Sequence, residues 1–451
     1  MMRVAFYTLG CKVNHYETEA MSELFRAEGH QVVPFSHQAD IYIVNTCTVT
    51  QMSDKKSRQM LSRAHNNNPA ALVVAVGCYA QTSRKTVKNL SGVSLVIGNE
   101  GKKDIVSLCK AALNAQAPAP ALESETVSGV KTHHSLPATE GETLSVQAED
   151  EPLGAKIHHD LEFEELSATH DSRTRATLKI QDGCDRFCSY CIIPYARGNL
   201  RSRTMESCAR EISALVEGGY KEIVLTGIQL CAYRDGESTL LDVIRLCDEL
   251  KVRRLRLGSL EPTFITPEAV KVFKGSRCLC HQFHLSLQSG SDTVLRRMNR
   301  RYTLAQYEAA VTALKTAMPD TAITTDIICG FVGETTKEHE ESLAFVRKIG
   351  FSRVHVFPYS KREGTRAAAM PDHLPKHIKE NRTRDFLRLA NQLEQEFLQA
   401  QEGTCHEVLM EEDGTGYTKN YVRVRLDAEE GELINVLITG HENNLALGKK
   451  I

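Results

Sequence analysis

Cys184, Cys188 and Cys191 stand within eight residues, in Leu178-Lys-Ile-Gln-Asp-Gly-Cys-Asp-Arg-Phe-Cys-Ser-Tyr-Cys191. Three thiolates at C-x3-C-x2-C spacing on one loop reach three corners of a four-iron cube, whereas a cluster that only carries electrons normally takes four cysteines. One iron is then open to a substrate. A zinc knuckle would need a fourth ligand and paired C-x2-C units, and no Cys or His follows within the next fifteen residues. Thiols that merely fill a core would not have Asp182, Gly183, Asp185 and Arg186 around them, so the stretch points to iron–sulfur chemistry.

A second set of thiols falls where short strands end. Val4–Tyr7, Ile41–Val44 and Leu72–Val76 are apolar runs rich in β-branched residues, followed by helical patterns over His15–Glu28 and Asp54–Asn66. Strands alternating with helices predict a doubly wound parallel sheet, whose ligands collect outside the carboxyl ends of the strands. Cys11, Cys47 and Cys78 lie at those ends. A free cysteine by itself is more often a small buried hydrophobe. Three at equivalent positions, two beside a glycine, predict a second, three-ligand cluster site.

The chain of 451 residues exceeds what one hydrophobic core supports, so several domains are expected. Net charge is only -2, which leaves any nucleic-acid contact to local basic patches. No apolar run approaches the ~20 residues that span a bilayer, and no apolar leader follows Met1. The expected location is the cytoplasm, with no membrane partner. The fourteen cysteines would be reduced there, which favours metal ligation over disulfides.

Lys179-Ile-Gln-Asp-Gly-Cys184 with Cys191-Ile-Ile-Pro-Tyr-Ala-Arg-Gly198 resembles the radical S-adenosylmethionine (SAM) core of the methylthiotransferases. Thr8-Leu-Gly-Cys-Lys-Val-Asn-His-Tyr-Glu-Thr-Glu19, Asn45-Thr-Cys-Thr-Val-Thr50 and Gly77-Cys-Tyr-Ala-Gln81 resemble the amino-terminal domain of that family. Cys11-Lys-Val-Asn-His-Tyr-Glu17 is similar to the branch that modifies N6-threonylcarbamoyladenosine beside the tRNA anticodon. The resemblance implies two 4Fe-4S clusters, on Cys11/Cys47/Cys78 and on Cys184/Cys188/Cys191, both facing one cavity. It implies that SAM is cleaved to a radical at the second and that methylated sulfur passes from the first to adenine C2. An aromatic C–H offers no acid–base route at neutral pH, so a radical is chemically motivated. The implied partners are the tRNA anticodon stem-loop and an electron donor, with the chain acting as a monomer.

Beyond the cluster loop, strands are predicted at Thr177–Gln181, Glu222–Thr226, Arg254–Gly258, Phe283–Gln288, Ala322–Ile328 and Arg353–Phe357, with helices between them. Six such units predict an open (β/α)6 barrel with its active face at the strand carboxyl ends. On that face the candidates for holding SAM are Gly227, Gln229, Ser259, Glu261 and Gln288. Tyr190 is the candidate for the adenine and Arg297 for the SAM carboxylate. Gly227 could equally make only a turn, and Glu261 or Gln288 only cap helices. The chain departs from the family pattern at Gln229-Leu-Cys231-Ala and at Gly330-Phe-Val332-Gly-Glu-Thr335. Cys109, Cys208, Cys231, Cys247, Cys278, Cys280, Cys329 and Cys405 lack triad spacing and are expected to pack.

Arg197-Gly-Asn-Leu-Arg201-Ser-Arg203 and Arg296-Arg-Met-Asn-Arg300-Arg-Tyr302 are the densest basic runs, suited to phosphates unless they serve SAM or the core. Lys376–Gln401 is an amphipathic helix with Phe386, Leu389, Leu393 and Phe397 on one face. Cys405–Met410, Tyr421–Arg425 and Leu433–Ile438 then predict a small antiparallel barrel, and Gly416-Tyr-Thr-Lys-Asn-Tyr421 resembles the OB-like TRAM module. The expected fold class is therefore α/β throughout the first two units with a small β-barrel at the carboxyl end. The expected domains are 1–113 (amino-terminal cluster domain), 114–171 (linker), 172–375 (radical-SAM core), 376–401 (connecting helix) and 402–451 (RNA-binding barrel). His133, His134, His158, His159 and Asp160 in the linker lack partners at ligand spacing. The function implied is a tRNA methylthiotransferase; the rivals are a ribosomal-protein methylthiotransferase and a non-catalytic iron–sulfur RNA-binding protein.

Overall fold

A computed structural model describes residues 1–116, 161–168 and 174–451; the linker histidines and Asp160 lie outside the described residues. The chain opens with β1 (Arg3–Thr8), α1 (Lys12–Ala27), β2 (Gln31–Val33), β3 (Ile41–Thr46), α2 (Gln51–Asn67), β4 (Leu72–Gly77), the short α3 (Cys78–Thr82) and α4 (Arg84–Lys88), β5 (Leu95–Val96) and α5 (Ile105–Gln116). The five strands pair in parallel in the order β2-β1-β3-β4-β5. Strands β3 and β4 are buried along their whole length, as a sheet covered on both faces requires. Tyr42, Val44, Val73 and Ala75 pack with Leu61 on one face, while Ile41, Ile43, Val74 and Val76 pack with Phe25 and Ile105 on the other.

The central unit contains β6 (Ala176–Lys179), β7 (Gln181–Asp182), α6 (Ile193–Arg197), β8 (Arg201–Ser202), α7 (Met205–Glu217), β9 (Glu222–Thr226), the hairpin β10 (Arg234–Asp235) and β11 (Ser238–Thr239), α8 (Leu240–Glu249), β12 (Arg254–Leu257) and α9 (Pro267–Gly275). It continues with β13 (Gln282–His284), α10 (Asp292–Arg297), α11 (Leu304–Ala317), β14 (Ala322–Cys329), α12 (Thr336–Ile349), β15 (Arg353–Pro358), α13 (Arg366–Ala369) and α14 (Lys376–Gln399). Parallel trios β6-β9-β12 and β13-β14-β15 meet through the parallel bridges Leu255 to Leu279 and Leu260 to Leu285. No pairing joins β6 to β15 among the described residues, so the six-stranded sheet stays open.

Alternate residues divide its two faces. Leu178, Ile223, Leu225, Leu255, Leu257, Phe283, Ile323 and Val354 join the apolar core against the helices. Their neighbours along each strand face the hollow of the half-barrel. The run Phe283–Gln288, expected as one strand, is regular only to His284. Gln288 adopts φ +67° and bridges Ile327 instead, which breaks the ladder.

The last unit is a closed barrel of β16 (Cys405–Met410), β17 (Thr415–Thr418), β18 (Arg423–Arg425), β20 (Leu445–Lys450) and β19 (Leu433–Glu442), in that order around the ring. The expectation of a wholly antiparallel barrel is corrected at one seam, where β18 and β20 run parallel. The long β19–β20 hairpin, bulged between Ile438 and Gly440, folds back to close the ring, and closure leaves no exposed strand edge. Helix α14 links the two units, burying Phe386, Ala390 and Leu393 in the central core and Leu398 in the barrel.

Candidate functional site

The first thiol triad forms at the carboxyl edge of the amino-terminal sheet. Cys11 follows β1 and precedes α1, Cys47 follows β3, and Cys78 opens α3 directly after β4. Gly10, at φ +103°, lies so close that a Cβ there would sit 2.9 Å from the Cys47 sulfur. Only glycine fits this approach. Asn14 holds the loops together by donating to the carbonyls of Leu9 (2.7 Å) and Thr46 (3.1 Å). Asn99 Nδ2 is 3.7 Å from the Cys78 sulfur and donates to the Ala196 carbonyl at 2.7 Å.

The second triad lies on the loop after β7. Asp182 and Gly183 form its base: the Gly183 amide donates to Asp182 Oδ1 at 2.8 Å, and a Cβ on Gly183 would strike the Asn199 carbonyl at 1.8 Å. The Cys188 sulfur lies 3.3 Å from Arg300 Nη1. In the metal-free chain burial pushes the thiols of Cys47 and Cys184 up to about 11 and that of Cys191 up to about 12. Iron must therefore displace protons to load, the usual coupling at thiolate sites.

A buried charge network joins the two triads. Helix α6 begins two residues after Cys191 and packs against α3, which begins at Cys78. Arg197 at the end of α6 lies 2.9 Å from Glu17 and 3.0 Å from Asp182, and donates to Asn14 Oδ1 at 2.7 Å. Lys102 (2.7 Å) and Lys179 (2.9 Å) also pair with Glu17; Lys179 (2.9 Å) and Arg201 (3.2 Å) also pair with Asp182. Four cations thus meet two carboxylates in the interior. Burial alone would lower the Arg197 pKa, but Asp182, Cys78, Glu17 and Cys11 hold it well above the usual value. Its Nε has no hydrogen-bond partner. A buried donor left free beside two thiols, with surplus positive charge, fits an anionic thiolate-bound cluster.

The residues expected to hold SAM gather around the cluster loop, and several have protein partners. Gln229 accepts from the Asp185 amide at 3.3 Å and its own amide donates to Gln181 at 2.7 Å, while Gly227 leaves room for Gln181. Glu261 pairs with Arg186 at 2.7 Å and lies 3.8 Å from Arg300. Tyr190 packs edge-on against Phe331 at 6.3 Å. Ser259 is exposed at the end of β12 and Gln288 stands at its left-handed kink. Arg297 is forked onto Glu338 at 2.8 and 2.9 Å. Arg300, three residues further on, is the guanidinium beside the cluster loop. The sequence held that signal only as one arginine in a basic run.

Of the two basic runs, Arg197, Arg201 and Arg203 are buried and Arg300 half-buried, held by carboxylates, carbonyls and a thiol, so these four serve the core, whereas Arg296 and Arg301 are exposed. The motif Gly416–Tyr421 is likewise turned inward: Arg254 donates to the Tyr417 carbonyl (2.9 Å), Arg256 to those of Thr418 and Lys419 (3.2 Å each), and Glu222 pairs with both arginines at 2.9 Å. Arg423 and Arg425 stay exposed, paired with Asp413 and Glu442. Of the cysteines expected to pack, Cys405 is exposed and Cys231 is half-buried, accepting the Glu261 amide at 3.2 Å; the other six are buried.

Residues 3–98 match the model of the Uncharacterized protein family UPF0004, and residues 178–346 that of the Radical SAM superfamily. The chain is 38% identical to "Threonylcarbamoyladenosine tRNA methylthiotransferase MtaB" of Bacillus subtilis (strain 168), covering 97% of this chain and 94% of that one. It is 34% identical to the protein of the same name from Aquifex aeolicus, covering 97% and 100%. A "tRNA-2-methylthio-N(6)-dimethylallyladenosine synthase" from Thermodesulfovibrio yellowstonii is 29% identical over 96% and 94%. Among solved structures, the radical S-adenosylmethionine methyltransferase TsrM from Kitasatospora setae has a similar fold, with TM-score 0.54 at 14% identity, covering 81% of this chain and 77% of that one.

Proposed function

This chain belongs to the threonylcarbamoyladenosine tRNA methylthiotransferases, which combine the two matched domain families, and from that membership we propose how its residues serve the reaction. It is a transferase that places a methylthio group on C2 of the adenine of N6-threonylcarbamoyladenosine in tRNA, with two 4Fe-4S clusters and SAM as cofactors. When bound, these cofactors supply the one-electron cleavage and the sulfur chemistry that side chains lack. Cys184, Cys188 and Cys191 hold the SAM-cleaving cluster, and Cys11, Cys47 and Cys78 hold the other. Arg300 and the Arg186–Glu261 pair fix the cluster loop against the strand ends, and Arg197 with Glu17 and Asp182 keeps the two triads in register. Gln288, Ser259 and Tyr190 would contact SAM when it is bound.

The junction at Arg197 supports this reading most directly, since one buried guanidinium touches residues of both thiol sites. No described helix is long and apolar enough to cross a membrane. The working partner is the anticodon stem-loop; an external donor supplies electrons, and the chain acts as a cytoplasmic monomer. Mass spectrometry of tRNA nucleosides from a deletion strain tests the assignment. Loss of the methylthio form of threonylcarbamoyladenosine, restored by the gene, supports it. Persistence of that nucleoside while a ribosomal peptide loses a methylthio mark would overturn it.

A further inference from the structure

The hollow face of the half-barrel holds a group of side chains that neither cluster uses. On β15, Val354 and Val356 pack toward the helices, so Arg353, His355 and Phe357 point the other way and are exposed. His284 on β13 and Asp326 on β14 share that face. Donor atoms of His284, Asp326 and His355 lie within 4.8 Å of one another, with His284 Nε2 at 3.3 Å from Asp326 Oδ2. His284 Nδ1 is 3.1 Å from Thr324 Oγ1, which orients the ring. Phe357, 47% exposed, stands one step nearer the strand carboxyl ends, where ligands of parallel sheets collect.

Lys12, next to the cluster cysteine Cys11, lines a cavity of about 420 Å³ with Arg175, Thr177, Val224 and Tyr421. The cations around it have carboxylate partners: Arg175 has Glu411 and Glu222, Arg254 and Arg256 have Glu222, and Arg353 has Glu394. Lys12 has none within ion-pair distance among the described residues. Of the acidic groups on the cavity rim, Glu411 is held by Arg175, Asp413 by Arg423 and Glu430 by Thr174, and Glu412 completes the rim. Tyr421 on this cavity's wall also lines a second one of about 140 Å³ with Thr324, the partner of His284, and Arg353, on the same face of β15 as His355.

We propose that this lumen receives the modified base, with Phe357 under the purine ring and Lys12, His284, Asp326 and His355 reading an amino-acid arm on the exocyclic nitrogen; the assignment rests on the tRNA reading above. The arm's carboxylate meets Lys12 and the imidazoles, and its hydroxyl donates to Asp326. Dimensions agree. Phe357 and His355 are two positions apart on the strand, about 7 Å. Five bonds separate the exocyclic nitrogen from the carboxylate oxygen of a carbonyl-linked amino acid, about 6 Å. Relatives of this chain carry names for two arms, threonylcarbamoyl and dimethylallyl. A hydrocarbon arm pressed onto these groups would strip their solvation and return no hydrogen bond, so the residues select the anionic arm.

Binding of labelled anticodon stem-loops to the iron-loaded protein tests this without turnover. The three probes carry threonylcarbamoyladenosine, dimethylallyladenosine or plain adenosine. The wild type should prefer the first. Lys12→Met and His355→Gln should each cut that preference about tenfold, the loss of one charge-assisted contact, while affinity for the plain stem-loop holds. Phe357→Ala should weaken all three probes alike. His355 is exposed and distant in sequence from the thiols, so its variant keeps iron content as an internal control. Unchanged preference in both the Lys12 and His355 variants overturns the assignment, as does a wild type that ignores the arm. Added Co(II) bound through the two histidines, with preference unaltered by their substitution, also overturns it in favour of a metal site. Failure of the methylthio assay itself would instead strike the parent reading.

Discussion

Arg197 stands between residues of both thiol sites, so its substitution separates packing from chemistry. Arg197→Met removes the guanidinium that bridges Glu17, Asp182 and Asn14, while Lys102, Lys179 and Arg201 still face the two carboxylates. Losing its buried charge-assisted hydrogen bonds costs about 1.5–3 kcal/mol, and the melting temperature should fall accordingly even in iron-free protein. Arg197→Lys should recover part of it. The cysteines divide differently. Cys188→Ala should eliminate 5'-deoxyadenosine production from SAM under dithionite, whereas Cys47→Ala should preserve it and block sulfur insertion into tRNA. Equal loss of both activities in the two variants would argue against separate roles. At this scale the sequence was informative about thiols because ligand spacing on one loop is local. It was silent about Arg300, whose place beside Cys188 depends on a contact 112 residues away in the chain.

Among the elements, the contact between the half-barrel and the small barrel depends most on charge. Burial alone would raise the Glu222 pKa, but Arg256, Arg254 and Arg175 overcome it and lower it to about 2. A depressed carboxylate contributes stability above its unfolded value, here 4.5, and that contribution is lost as pH falls toward about 2. The barrel should therefore loosen between these values, and limited proteolysis near Gln401 should quicken there, while Glu222→Gln should flatten the pH dependence. The same contact holds Tyr417 and Tyr421, stacked at 4.6 Å and half-buried, against Arg175. Aromatic and basic residues in a small barrel look alike in sequence whether they meet RNA or another domain. Only the strand register of β12, which turns Arg254 and Arg256 away from the apolar core, separates the two cases.

For the whole molecule, the prediction is stoichiometric. Anaerobically loaded protein should carry about eight irons per chain, two four-iron clusters, and either triple-cysteine variant about four. A value of four in the wild type would remove one site. Affinity for tRNA should fall with rising salt, and with Arg197, Arg201 and Arg203 buried, their replacement should change that slope little. The sequence by itself determined the parallel sheet, the six β/α units, the closing barrel and both thiol triads, because alternation, helical period and ligand spacing are local patterns that chain connectivity carries directly. The tertiary structure decided that the triads meet across Arg197, that Arg197, Arg201 and Arg203 are internal, and that His284, Asp326 and His355 share one wall. Those outcomes depend on which faces of distant elements are pressed together, and burial then fixes the charge and partners of each side chain in a way its neighbours in sequence do not encode.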